Sequence, residues 1–282
     1  MKKLTWLTIT ALFIIILSAC GSSGEEQESS SGSDQSSDQS SDQSSDQSLY
    51  EQIQEKGVLT VGTEGTYAPY TFHNENDELT GYDVEVAKEI AKRLDLEIEF
   101  KETKWDSMFA GLNSNRFDMI ANQVGIKPDR EEKYSFSVPY TYTSAVLVAR
   151  KDNNNMQSFE DLEGAVSAQS LTSNYADIAK EYGAEIQSVE GFNPAMELLN
   201  NGRVDATVND RLSVLDYLKQ KGDQSKVEIV AKEDNASETA MMFRQDNPEL
   251  VEAVNGALKE MKEDGTLEEI SNEWFNEDVS TQ

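Results

Sequence analysis

Arg130 closes the stretch Asn122-Gln-Val-Gly-Ile-Lys-Pro-Asp-Arg130, which sets a guanidinium a short turn beyond a strand read at 117–121 and ending in polar residues. A guanidinium so placed offers a planar fork of donors matched to a carboxylate. A charge-assisted hydrogen bond of that kind contributes about 1.5–3 kcal/mol. A solvated Arg in a charged loop gives the same letters, and the loop alone leaves both readings open. Leu171-Thr-Ser-Asn174 falls between a strand read at 165–169 and a helix from about Ser173. Free backbone N–H groups and the helix dipole favour an anion there, although a Ser N-cap without a ligand fits the same residues. Tyr67-Ala-Pro-Tyr-Thr-Phe72 places three rings around a proline after a strand at 57–62, and Trp105 opens a helix. Such rings are either core or the walls of a cleft. Asn209-Asp210-Arg211 follows a strand at 204–208 and fits a surface ion pair and turn.

Other chemistries find little support. The chain has one His, His73, and one Cys, Cys20, with no Ser-His pairing and no metal-ligand cluster in its spacing. Carboxylates are abundant, so counting alone does not exclude acid-base catalysis. The formal charge of −29, from 24 Lys and Arg against 53 Asp and Glu, repels nucleic acid and anionic lipid surfaces.

The elements that must position these residues alternate between strand and helix. Asp83 begins an apolar 3.6-residue pattern through Val84, Ala87, Ile90, Ala91 and Leu94, which predicts a helix behind an Asp cap. The segment 96–100 alternates as a half-buried strand. Strands at 165–169, 185–189 and 204–208 are interleaved with helices from about Ser173 and over 194–200. Asp246-Asn-Pro-Glu-Leu250 predicts a capped helix with Pro in its first turn, ended by Gly265, and Trp274 is expected to anchor the core near the C-terminus. This order predicts an α/β fold with mostly parallel sheets, in which ligands sit beyond the carboxyl ends of strands. The run 142–149 reads as a first crossing into a second lobe and 238–243 as the crossing back.

The N-terminus reads as export machinery. Met1-Lys-Lys, an apolar run to Leu17 and Ser18-Ala-Cys20 predict a signal peptide over 1–19. Residues 21–48 hold only Gly, Ser, Asp, Gln and Glu, with Ser-Asp-Gln-Ser in tandem from 33 to 48. Lacking apolar residues, this segment is expected to be a disordered tether with a root-mean-square span of about 30 Å.

The order of Trp105-Asp-Ser-Met-Phe-Ala-Gly-Leu112, Arg116-Phe-Asp118, Asn122 to Arg130 and Phe136-Ser-Val-Pro-Tyr140 resembles the extracytoplasmic amino-acid-binding proteins of ABC importers, the bacterial solute-binding proteins of family 3. Glu64-Gly-Thr-Tyr-Ala-Pro-Tyr70, Thr103-Lys-Trp-Asp106 and Asn122-Gln-Val124 look most like the cystine-binding branch, and the likeness runs from about Leu49 to Val279. The resemblance implies a two-lobed periplasmic-binding-protein-like fold of type II, with lobe 1 at 49–144 plus 237–282, lobe 2 at 145–236 and two crossing strands between them. It implies that Arg130, Ser173 and Asn174 take the carboxylate of an amino acid and Asp210 its ammonium group. Tyr67 and Trp105 would cover the apolar part and Glu64 would face the far end. Gly125 stands where relatives often carry a Ser or Thr hydroxyl, which would shift the ammonium contact onto backbone carbonyls such as that of Gln123.

Leu17-Ser-Ala-Cys20 resembles the lipobox of bacterial lipoproteins, which implies Cys20 as a lipidated N-terminus and a membrane held through that lipid anchor. The family resemblance implies a permease and its ATPase as partners; tether and cleft require nothing beyond a monomer, and no cofactor or metal is expected. Glutamine, histidine or another polar amino acid is the alternative ligand. A dehydratase-like enzyme on the same fold, and a tethered sensor or adhesin, are the alternatives from other classes.

Overall fold

The computed structural model describes residues 47–282. The signal segment, Cys20 and the tether as far as residue 46 lie outside them. Ser48, assigned to the tether above, belongs to the folded part. Its hydroxyl accepts from Glu51 N at 3.3 Å while its own N–H donates to Glu51 Oε2 at 2.9 Å, a reciprocal box that starts helix Leu49–Lys56.

Two sheets organise the chain. The first runs Glu97–Glu102, Val58–Thr63, Met119–Gly125, Ser237–Arg244, Tyr134–Phe136, with Thr141–Thr143 also pairing to Ser237–Arg244. The second runs Glu185–Ser188, Val166–Gln169, Ala206–Asp210, Ala145–Arg150, Val227–Lys232. In each, the strands reached through helices pair in parallel and the strands that connect the sheets pair antiparallel. The fold is therefore mixed α/β and two-lobed. The chain leaves the first sheet between Thr143 and Ala145 and returns between Lys232 and Ser237. Near-continuous apolar strands such as Ala145–Arg150 are buried on both faces, as sheets covered by helices require. Among the described residues no helix is long and apolar enough to cross a membrane.

Several local expectations change. The strand read at 117–121 runs instead from Met119 to Gly125, because the polar residues Asn122 and Gln123 stay in the sheet, bonded to buried partners. The single crossing read at 142–149 is two strands, Thr141–Thr143 and Ala145–Arg150, split at Ser144. Helix Tyr82–Arg93 is not capped by Asp83: Gly81 is its N-cap, and the Asp83 carboxylate turns inward to residue 123. Helix Pro248–Glu263 keeps Pro at its first turn but has no side-chain cap. Trp274 is half-buried and stacks edge-on with Phe72.

Candidate functional site

The carboxyl ends of the two sheets face one another across a small cavity, which the meeting of the two lobes has drawn tight. One wall carries Glu64, Tyr67, Trp105, Asn122 and Gln123, and the other Ser173, Asn174, Tyr175, Phe192 and Asn209. The walls touch. Tyr67 donates to Asn209 Oδ1 and Tyr70 to Asp210 Oδ1, each at 2.8 Å. At the rim, Lys127 reaches Asp177 at 2.6 Å, Thr172 Oγ1 donates to Asp106 at 2.6 Å, and Lys104 pairs with Glu190. The cleft is closed.

Arg130 sits in the short helix Pro128–Glu131 and is 4% exposed. It donates to Gly125 O and Thr172 O, both at 2.8 Å, and its guanidinium carbon lies 5.4 Å from the Trp105 ring and 5.4 Å from the Phe109 ring. Among the described residues no carboxylate pairs with it. Burial lowers its pKa to about 10. Two neutral carbonyls use only part of the guanidinium's five-donor fork, so capacity for an anion remains.

Asp210 is the opposite case. It is 1% exposed at the end of strand Ala206–Asp210 and caps helix Arg211–Lys221. Its Oδ1 accepts from Leu212 N at 2.8 Å, Ser213 N at 3.0 Å and Tyr70, while Oδ2 is buried with no partner. Burial raises its pKa, and those hydrogen bonds pull back toward the ionised form, helped by the Thr143 hydroxyl, which lies against the carboxylate without a well-formed hydrogen bond. The Tyr175 ring feels both charges, with Asp210 raising its pKa after burial and Arg130 opposing.

Glu64 is held from two sides by Asn122, which accepts from Glu64 N and donates to Glu64 Oε2, each at 2.8 Å. Its pKa is raised by burial, with Asn122 and the backbone N–H of Trp105 pulling it down. Its other oxygen points at Gly191, where an added Cβ would come within 3.5 Å.

Of the residues singled out from sequence, Glu64, Tyr67, Trp105, Gln123, Ser173 and Asn174 line the cavity. Arg130, Gly125 and Asp210 lie just behind the lining, joined to it through Thr172, Asn174 and Tyr70. Ser173 spends its hydroxyl as a helix cap, accepting from Ala176 N at 3.0 Å. A Cβ on Gly125 would press on the Asn174 side chain at 3.3 Å, so the missing hydroxyl makes room for an amide from the other wall. Sequence reasoning set Asn122 at the ligand end of its strand without naming it a site residue, and it missed Tyr175, Gly191, Phe192 and Asn209. Gly191, with φ 101° at a strand-to-helix turn, was the available signal for that loop.

Two lobes that meet over an internal cavity, with a buried guanidinium and a buried carboxylate just behind its lining, define a two-lobed protein built around a small-molecule cleft. The sequence pattern of the bacterial extracellular solute-binding proteins, family 3, matches residues 59–277, and the chain belongs to that family. It is 52% identical to the L-cystine-binding protein TcyA of Bacillus subtilis, over 99% of this chain and all of that one. Against the unliganded open L-cystine solute receptor of Neisseria gonorrhoeae it is 46% identical, covering 84% of this chain and 100% of that one, with a TM-score of 0.56. A histidine-bound substrate-binding protein of an uptake transporter from Streptococcus pneumoniae, only 27% identical, gives 0.77 over 83% and 98%. The shape agrees better with the ligand-bound relative than with the open form of the nearer sequence, as touching walls require. Its relatives are transporter-binding proteins, and the chain is not an enzyme.

Proposed function

We propose that this protein captures L-cystine by lobe closure outside the cell and hands it to an ABC permease powered by its ATPase. The carrying observation is the pair of buried, opposite and incompletely satisfied charges: Arg130 with no carboxylate partner and Asp210 with a bare Oδ2. In this reading Arg130, with Asn174 and the backbone around Ser173, takes a carboxylate, and Asp210 takes the ammonium group. Tyr67 and Trp105 cover the apolar middle. Cystine carries a second zwitterion, and Glu64, oriented by Asn122 and partly open to the cavity, faces its ammonium. The identity of 52% with a cystine-binding protein supports this ligand over glutamine or histidine. Affinity near micromolar corresponds to about −8 kcal/mol, which two charge pairs and ring burial supply after ordering costs.

The moving bodies are 49–144 plus 237–282 and 145–236, hinged at the two crossings. The protein acts as a monomer, attached to the membrane by lipid on Cys20 through the 21–48 segment. Mass spectrometry of the mature protein, for a diacylglyceryl group on Cys20, tests the anchor. Calorimetric titration of the ligand-stripped protein with L-cystine, glutamine and histidine tests the ligand. One-to-one binding strongest for cystine is expected, and stronger binding of either other amino acid would overturn that choice.

A further inference from the structure

Asp83 is fully buried, bears no relation to helix capping and makes no ion pair among the described residues. Keeping a carboxylate in such a place is costly unless its oxygens do something a neutral side chain cannot. Both oxygens go to one residue. Gln123 N donates to Oδ2 at 2.7 Å, and Gln123 Nε2 donates to Oδ1 at 2.6 Å. The Tyr140 hydroxyl, without a well-formed partner, lies against the same carboxylate.

Gln123 needs such a hold. It lines the cavity, yet its φ is 49°, a left-handed conformation that a non-glycine residue in a strand rarely adopts. The ladder with Ser237–Arg244 slips register between Ala240 and Met242, opposite this position, so the Asp83 carboxylate takes the N–H there. The amide of Gln123 then reaches both crossing segments: Nε2 donates to Thr141 Oγ1 at 3.2 Å, and Oε1 accepts from Thr239 Oγ1 at 3.0 Å.

We propose that Asp83 is a positioning residue for ligand capture: it locks Gln123 across the break in its strand and thereby fastens the cavity wall to both strands through which the lobes hinge. A ligand pressing on this wall is felt at the hinge because the three share one buried hydrogen-bond network. Burial raises the Asp83 pKa to about 7, and its bonds from Gln123 and Tyr140 keep it from rising further.

The clamp is testable by exchange. Asp83→Asn sets its own Nδ2 against Gln123 Nε2, donor to donor, and Gln123→Glu sets carboxylate against carboxylate. Made together, they restore a donor facing an acceptor, with both Thr hydroxyls free to donate. Two readouts are compared: L-cystine affinity by titration, which rests on the proposed ligand, and amide exchange of 141–143 and 237–244 in unliganded protein, which does not. Each single substitution is expected to weaken cystine binding at least 10-fold and to speed exchange in both segments. The combined protein should return to within 3-fold of wild type in affinity. Unchanged exchange in Asp83→Asn would overturn the proposal, as would a combined protein no better folded or no tighter than Asp83→Asn alone. If wild type fails to bind cystine, the ligand reading falls and the exchange result still decides the clamp.

Discussion

Two buried aspartates, one behind each wall of the cleft, have been put to opposite uses. Asp83 has both oxygens filled by Gln123, whereas Asp210 fills one oxygen three times over and leaves the other bare. Burial raises both pKa values. The difference lies in valency: a carboxylate whose acceptor capacity is spent holds its surroundings in place, and in the proposed reading the less occupied oxygen of Asp210 is the one that takes a donor from the ligand. Arg130 mirrors Asp210, with a donor fork only partly used on Gly125 and Thr172.

The largest effect expected is on the charge without a partner. Arg130→Ala should weaken cystine binding by about 3–5 kcal/mol, the loss of a bidentate charge-assisted pair. Titration at fixed ionic strength reads it directly. Asp210→Asn comes next, at about 2–3 kcal/mol for one charged hydrogen bond. It should leave the unliganded melting temperature nearly unchanged, because an amide oxygen still caps helix Arg211–Lys221 and still accepts from Tyr70. A large fall in melting temperature there would erase the contrast with Asp83.

The contrast also has a pH signature. Raised from 3.8 to about 7 by burial, with Gln123 and Tyr140 opposing and Asp210 adding to the rise, Asp83 binds its proton more tightly in the folded state. Its contribution to stability is therefore full below pH 3.8 and is lost as pH rises toward 7. Urea unfolding at pH 5 and pH 7.5 should show wild type losing more stability over that interval than Asp83→Asn loses. The smallest effect belongs to the rim. Lys127→Ala removes the exposed contact with Asp177 and should change affinity by less than about 1 kcal/mol, and more so at low salt than high.

Much of this fold was legible in the letters. Glycine-bounded apolar runs such as 57–62 and alternating segments such as 96–100 mark strands locally, and the strand-helix alternation predicts the α/β class. What failed was anything whose partner is remote. A helix-cap rule sees only the next few residues, so Asp83 read as a cap although its carboxylate bonds a residue 40 positions on. Asn122 and Gln123 read as the end of a strand because polar residues do end strands, unless buried carboxylates receive them. The resemblance carried Glu64, Tyr67 and Trp105 to the cavity, whereas Tyr175, Phe192 and Asn209 join it from the other lobe only once the lobes meet, and neither periodicity nor spacing encodes that meeting.

The central claim, that Arg130 and Asp210 read the two ends of a zwitterion, is tested most directly by pairing each substitution with the ligand fragment it should miss. Cystamine lacks the carboxylates of cystine, and 3,3′-dithiodipropionate lacks its ammonium groups. Titrated against both, Arg130→Ala should bind cystamine as wild type does and Asp210→Asn should bind dithiodipropionate as wild type does, while both bind cystine poorly. Equal losses for all three ligands in either variant would contradict the account, because the residue would then be supporting the closed cleft without touching the charge assigned to it.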